Sequence, residues 1–534
     1  MARRARPILA GMLRTLAIVT LSLFSAIALS AQVREQITVQ AVDVPVYVVS
    51  KGKPVRQLSK DDFELYVNGK PQPIDYFETV DFTAPAPAVA NPAPESIPAA
   101  QPQLRDRRLF LFLFDLVYNE PSALDRSRRA AVEMVNHALP DDLFAVATVT
   151  SGTGIVFASP FLRDRDAVRR AILQLAPSRA HDALAISITG AERETAQAWT
   201  PVVNGDATGK GKGAGPMSDD LVPELLALSL PEVHAREAAL SKDQVQLFGE
   251  LALRLRELDG YKHVILFSKG FRIDPGSPEQ FRSVSRMAAA FQSANAFLHT
   301  LDLNPMATGA GDLRALSLPN GPLAPAKIPA SENESLLWMS AMTGGKWIHW
   351  TNALAPALDE LSASYSATYR LGFKPVNARR DHNDIKVKVK NLPPGATVSF
   401  RKGFAGTSPS KGAPDALRLA DIVQNDTPQS GTPPEISVIG RRLDVIVPVI
   451  QLSKQLGAVD RAQVMLYVYD ANGVPVFSSG KTFTIPKHAA ADRVIEQKLD
   501  LRPGSYVAKV LLRAGDSLAF VKVPFQIEAS QPSQ

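Results

Sequence analysis

One stretch constrains this chain more than any other. Residues 109–115 read Leu-Phe-Leu-Phe-Leu-Phe-Asp. Six apolar residues run without alternation, so neither face of the strand can meet water. That pattern belongs to a central strand of a parallel sheet covered on both sides by helices. The run closes on an aspartate, where such sheets place their ligand crevice, outside the carboxyl ends of the strands. Residues 263–268, His-Val-Ile-Leu-Phe-Ser, form a second run of the same kind, followed by Lys269-Gly270.

Between and around these runs the apolar period alternates between strand and helix. Helical spacing covers 122–139, 164–175, 241–258, 278–293, 335–342 and 353–364. Strand-like runs cover 143–149, 155–158, 296–301 and 346–350. Strand and helix in alternation over 105–364 predict an open, doubly wound, mostly parallel sheet. The period changes to two on either side. The 33–82 segment carries the hairpin signal Asn68-Gly69, with 74–80 as the expected returning strand, because a type I′ turn needs positive φ at both central residues. It is too short to hold a core alone, and residues 365–404 are read as the strands that complete it. The α/β domain is thus expected to be inserted into a small β unit. An Ala/Pro-rich linker spans 83–104 and a polar one 405–434. Short strands at close spacing over 435–528 predict an antiparallel β-sandwich of immunoglobulin-like type.

Residues 1–31 read as a signal peptide: Arg3, Arg4 and Arg6 precede an apolar run over 16–29, and small residues close it. Export is the expectation, to the periplasm, the cell surface or the medium, with no transmembrane segment in the mature chain. The formal net charge of +6 falls to +2 once the four leader arginines, Arg14 included, are set aside. A near-neutral mature chain gives no reason to expect nucleic acid. There is no cysteine, which excludes disulfides, thiolate metal sites and a thiol nucleophile.

Several stretches together resemble the von Willebrand factor type A fold, and more closely the secreted von Willebrand A-related proteins of the acidobacterial type. They are Leu58-Ser59-Lys60-Asp61-Asp62-Phe63 with Asn68-Gly69-Lys70; 109–115; Leu162-Arg163-Asp164-Arg165; Gly260-Tyr261-Lys262 with 263–270; Thr343-Gly344-Gly345; and 365–373 with Arg401-Lys402-Gly403-Phe404. The resemblance spans most of 36–404. It implies a Rossmann-like domain that binds other proteins, often through a divalent metal, and not an enzyme. In such domains the loop after the first strand reads Asp-x-Ser-x-Ser, completed by a threonine and a second aspartate. Here that loop is Asp115-Leu116-Val117-Tyr118-Asn119. Asp115 matches, Val117 cannot ligate, Asn119 offers a carbonyl oxygen, and Lys269 stands where the acidic ligand is expected. The threonine has no clear counterpart, Ser178 or Ser187 being the candidates.

Oxygen ligands make such a site for a hard cation. An ammonium in their midst opposes it, so no metal and no cofactor is expected, magnesium being the ion weighed and set aside. An Asp115–Lys269 ion pair at the sheet's end is the preferred reading. The resulting expectation is an exported, adhesion-type protein that binds another protein through its loops. The alternative is an exported hydrolase working through rim carboxylates such as Asp115 with Asp274. No nucleophile turn, phosphate loop or paired metal-ligand histidines accompany them.

Overall fold

The computed structural model describes residues 41–84, 106–150, 153–175, 244–271, 273, 277–304, 334–349, 351–375, 379, 382–404, 416–456 and 461–528. Asp274, Ser178, Ser187, the leader and most of the 83–104 linker fall outside them.

The central strand is Arg108–Asp115, buried along its whole length. Its side chains divide by parity, as a period of two requires. Leu109, Leu111 and Leu113 enter one apolar cluster, with Phe248, Leu251 and Leu255 of the helical segment 244–255 and Val284, Met287 and Phe291 of the helix Pro278–Ser293. Phe110, Phe112 and Phe114 enter the opposite cluster, with Ala131 and Met134 of Pro121–His137 and Leu358 and Leu361 of Leu354–Ser364. Burial on both faces is what the unbroken apolar run demanded.

Six strands make this sheet, in the order Trp347–Ile348, Ala296–Asp302, Tyr261–Ser268, Arg108–Asp115, Leu143–Thr150, Gly154–Leu162. All neighbours are parallel except the last pair. Numbered along the chain the order is 3-2-1-4-5-6, that of the doubly wound dinucleotide folds. The order reverses between Arg108–Asp115 and Tyr261–Ser268, so their carboxyl ends flank the topological switch point.

Two further sheets flank it. Val42–Ser50 lies between Ala367–Phe373 and Thr397–Phe400, with Tyr76–Asp81 on the far edge of Ala367–Phe373. Phe63–Val67 pairs with Asn383–Val389 and with Lys70–Gln72. These strands share one apolar cluster, which includes Val44, Val46, Leu65, Tyr369 and Val387. The Asn68-Gly69 turn has the expected positive φ, 50° and 77°. Its returning strand is only Lys70–Gln72, and the segment expected to return instead pairs in the other sheet. Pro73, directly after Gln72, explains the difference, since proline cannot donate to a ladder.

In the C-terminal part, a three-stranded and a four-stranded antiparallel sheet face each other across one apolar cluster. Two helices were not read from the sequence. Val449–Leu456 lies among these strands. Ala416–Asn425 lies within the 405–434 segment expected to be a polar linker. Leu417 of that helix joins the α/β core, and Ile422 and Val423 pack with Tyr467 and Leu511 beyond it. Its apolar residues are thus divided between two neighbours. Among the described residues no helix is long and apolar enough to cross a membrane.

Candidate functional site

The switch point is where an open α/β sheet of this order holds a ligand. In this chain it is closed by the chain's own side chains. Asp115 is completely buried. Its Oδ1 accepts the backbone N–H of Val117 at 2.8 Å and of Tyr118 at 3.3 Å, and its Oδ2 accepts the Ser268 hydroxyl at 2.6 Å. Three of the roughly four acceptor positions of the carboxylate are thereby used. The Ser268 hydroxyl in turn accepts the Gly270 N–H at 2.9 Å. Burial raises the Asp115 pKa above the ordinary carboxylate value, against the lowering effect of its hydrogen bonds from Ser268 and the Val117 and Tyr118 amides.

Asn119 spans the crevice. Its Nδ2 donates to the Phe267 carbonyl at 2.7 Å and its Oδ1 accepts the Lys269 N–H at 3.0 Å. One side chain from the loop after the first strand therefore clamps the end of the fourth. Asn304 continues the clamp on the other side, donating to the Lys269 carbonyl at 2.8 Å. Above these polar groups Tyr118 stacks on Phe271, ring centroids 5.7 Å apart.

The Asp115–Lys269 ion pair does not form. The Lys269 ammonium goes outward to the Glu120 carboxylate, which it holds below the usual carboxylate range. The reason is geometric. Asp115 points inward from a fully buried strand, where the hydroxyl of Ser268 is already at hand and costs no desolvated ammonium. Lys269 lies one residue past the end of its strand and can reach solvent.

Of the residues singled out from the sequence, Asp115 and Asn119 come together at the switch point, in roles internal to the fold. The Asn119 oxygen that could have ligated a cation is taken by an amide. Among the described residues no group of three or more His, Asp or Glu side chains could hold a metal ion. Three participants were missed: Ser268, Asn304 and Glu120. Ser268 carried a readable signal, being the hydroxyl that closes the apolar run 264–267 beside the aspartate. Asn304 and Glu120 had none, since only the folded loops bring them to the rim.

Asp302, at the end of the next strand, is a second buried carboxylate. Burial raises its pKa, opposed by hydrogen bonds from the backbone and side chain of Asn304 at 2.9 and 2.8 Å. Ser268 and Asp115 are both fully buried.

No protein-family model matches the chain, and no curated protein is similar to it in sequence. Solved structures are similar at low level. A von Willebrand factor type A protein from Catenulispora acidiphila is 10% identical, over 86% of this chain and 74% of that one, with a TM-score of 0.26. An aerotolerance-related membrane protein from Bacteroides fragilis is 10% identical, over 48% of this chain and 97% of that one, with a TM-score of 0.26. Proximal thread matrix protein 1 from the mussel byssus, solved with a zinc-occupied MIDAS motif, is 11% identical over 50% and 48%, with a TM-score of 0.24. At such TM-scores the likeness carries no argument about activity.

Proposed function

We propose that this is an exported protein-interaction protein of adhesion type. It is built on a von Willebrand A-like domain whose metal position has been taken over by internal hydrogen bonds, and it ends in an immunoglobulin-like sandwich. It binds another protein and catalyses no reaction. The observation that carries the reading is the clamp of Asn119 on Phe267 and Lys269 beside an Asp115 with three of its acceptor positions already used. A crevice held shut by its own side chains offers neither an open ligand position nor a reachable nucleophile, whereas the loops around it remain on the surface, where recognition residues gather. The 3-2-1-4-5-6 strand order supports the domain type, and the basic, apolar leader supports export.

The test is affinity capture by the mature chain from its own envelope fraction, run beside the variant Glu120→Arg. That change inverts a rim charge without touching the buried network. The expected result is one stoichiometric protein partner held by the parent chain and lost by the variant. Capture of none, or turnover in a broad hydrolase screen that disappears in Asp115→Ala, would overturn the proposal.

A further inference from the structure

The two C-terminal sheets are tied together along one side and open along the other. On the tied side Gly431, in the segment leading to Glu435–Ile439, donates its N–H to the Leu518 carbonyl of the edge strand Ser517–Ile527 at 2.9 Å. On the open side stand Pro475–Phe483, the edge of the four-stranded sheet, and Arg493–Lys498, the edge of the three-stranded one. Each has one ladder, to Ala462–Asp470 and to Arg442–Val447, and no strand on its other side among the described residues.

A cleft of about 460 Å³ lies between these two edges, lined by residues 481–483 and 493–496. Strand parity says which side chains face into it. Lys481 and Phe483 lie opposite Val464 and Ala462, and Arg493 and Ile495 lie opposite Val447 and Val445. Those four partners belong to the apolar cluster between the sheets, so Lys481, Phe483, Arg493 and Ile495 are on the inner faces. Phe483 and Ile495 are each 8% exposed and floor the cleft, whereas Lys481 and Arg493 are exposed. The Arg493 guanidinium stands 4.6 Å from the centre of the Phe483 ring, which joins the two edges across the opening. The cleft therefore has an apolar floor and one cation from each sheet. Neither cation is in an ion pair among the described residues. Glu496, the carboxylate of the lining, falls on the outer face of its strand by the same parity and stands 3.9 Å from Arg442.

A cation on the inner face of an edge strand guards it against indiscriminate pairing, because an added strand would bury the charge. The guard admits one kind of strand: one that sets a carboxylate directly opposite the lysine, where cross-strand side chains stand about 5 Å apart. We propose that Pro475–Phe483 is a docking edge for an extended acidic segment of another protein. The segment adds as a further strand on the free side, with an aspartate or glutamate opposite Lys481 and facing Arg493. An apolar side chain two residues along covers Phe483 and Ile495. Main-chain groups of the edge supply affinity, and the alternate side-chain positions supply selectivity. Pro475 and the register shift beside Val468 and Tyr469 confine the pairing to 477–483. This edge belongs to the C-terminal sheets, and its binding does not depend on the switch-point loops of the α/β sheet.

The experiment is fluorescence anisotropy of the labelled peptide Thr-Glu-Thr-Val-Thr-Glu-Thr-Val with the full mature chain. In a strand its Glu and Val side chains share one face. One control peptide has Lys for both Glu. The other has Pro for the two central Thr, which removes ladder donors and keeps the charge. The expected result is saturable binding of the acidic peptide, weaker by about tenfold or more for each control. Lys481→Glu and Arg493→Glu reverse exposed charges, so the fold is not at stake. Each should weaken the acidic peptide by about tenfold, and the double variant should prefer the Lys peptide. Hydrogen exchange should slow at amides within 477–483 when the acidic peptide binds. No saturable binding overturns the proposal, as does equal binding of either control peptide, undiminished binding by Lys481→Glu, or slowed exchange confined to other strands. Self-association of the parent chain that Lys481→Glu abolishes would make a second copy the occupant and overturn it too.

Discussion

The buried histidines set a pH limit on the fold. His263 and His299 are fully buried on adjacent parallel strands, and Nδ1 of the first lies 3.1 Å from Nε2 of the second. The Lys346 N–H donates to His299 Nδ1 at 3.0 Å, so the proton of His299 sits on Nε2 and is given to His263. His263 then carries its own proton on Nε2. A further proton on either ring would face an N–H and break one of these bonds. Burial pushes His299 down to about 3, helped by the Lys346 charge. Burial also lowers His263 well below the ordinary histidine value, with His299 and Arg108 adding to it. The rings around His263 are those of Phe110, Phe297, Tyr47 and Tyr365. Their attraction for an imidazolium is worth about 2 kcal/mol at most, against the cost of a buried charge beside Arg108.

A histidine whose folded pKa is depressed contributes stability that is present above its unfolded value, near 6.5, and lost as pH falls below it. Each neutral buried histidine therefore removes about 1.4 kcal/mol per pH unit below that point. Between pH 7.5 and 5, His299 alone should remove about 2 kcal/mol. Asp115 and Asp302, whose pKa values are raised, act in the opposite sense, so the measurement must be a difference. His299→Asn supplies it, because an asparagine Oδ1 can accept the Lys346 N–H in place of Nδ1. All four tryptophans lie within 105–364, so their fluorescence during urea unfolding reports the unit that holds the pair. The parent chain should lose about 2 kcal/mol more than the variant over that pH range. Parallel stability–pH curves would refute the reasoning.

Four shorter predictions follow from the same geometry. Asp115→Ala strands the Val117 and Tyr118 amides and the Ser268 hydroxyl, and should cost about 2–4 kcal/mol in urea unfolding; an unchanged midpoint contradicts the network. Millimolar magnesium, manganese or calcium should leave the melting temperature in place, and a metal-dependent rise abolished by Asp115→Ala would show that the loop binds a cation after all. Asp142→Ala leaves Arg108, 1% exposed and bonded to both carboxylate oxygens at 2.8 and 2.6 Å, without its partner, and should cost about 3–5 kcal/mol. Gly345→Ala would place a Cβ 2.0 Å from the Leu298 carbonyl oxygen of a central strand, so the variant should fail to accumulate as folded protein, while Gly395→Ala, whose Cβ meets nothing, should be far milder despite a positive φ.

The α/β core was legible because its strands are buried on both faces. An unbroken run such as 109–114 admits almost no other environment, and the alternation of Leu and Phe even encodes which residues face which layer. The flanking β segments were legible from period two and from Asn68-Gly69, but pairing partners were less so. Tyr76–Asp81 leaves its hairpin for a ladder with residues 367–372, and nothing local in its sequence announces that. The helix Ala416–Asn425 was missed because polar, glycine- and proline-bearing sequence flanks it on both sides within 405–434. Its apolar residues serve two neighbours, and its polar ones act as a joint: Asp421 holds Arg107 at 2.7 Å, and Asn425 Nδ2 bonds the Phe161 carbonyl at 2.8 Å. Read alone, such a segment looks like a solvated linker.

At the candidate site the limit is sharper. Aspartate at a strand's end, asparagine four residues on and lysine on the neighbouring loop were all read from the sequence, and charge alone favoured an Asp115–Lys269 pair. Burial reverses that order. At the bottom of a buried crevice a serine hydroxyl and two amides satisfy a carboxylate without carrying a second charge out of water, while the lysine one residue beyond the strand has solvent and Glu120 within reach. The choice between the two arrangements rests on a depth of one residue along a strand, which sequence spacing does not report. The proposed function leans on the same depth, because it assigns recognition to the loops above a carboxylate that its own chain has bonded.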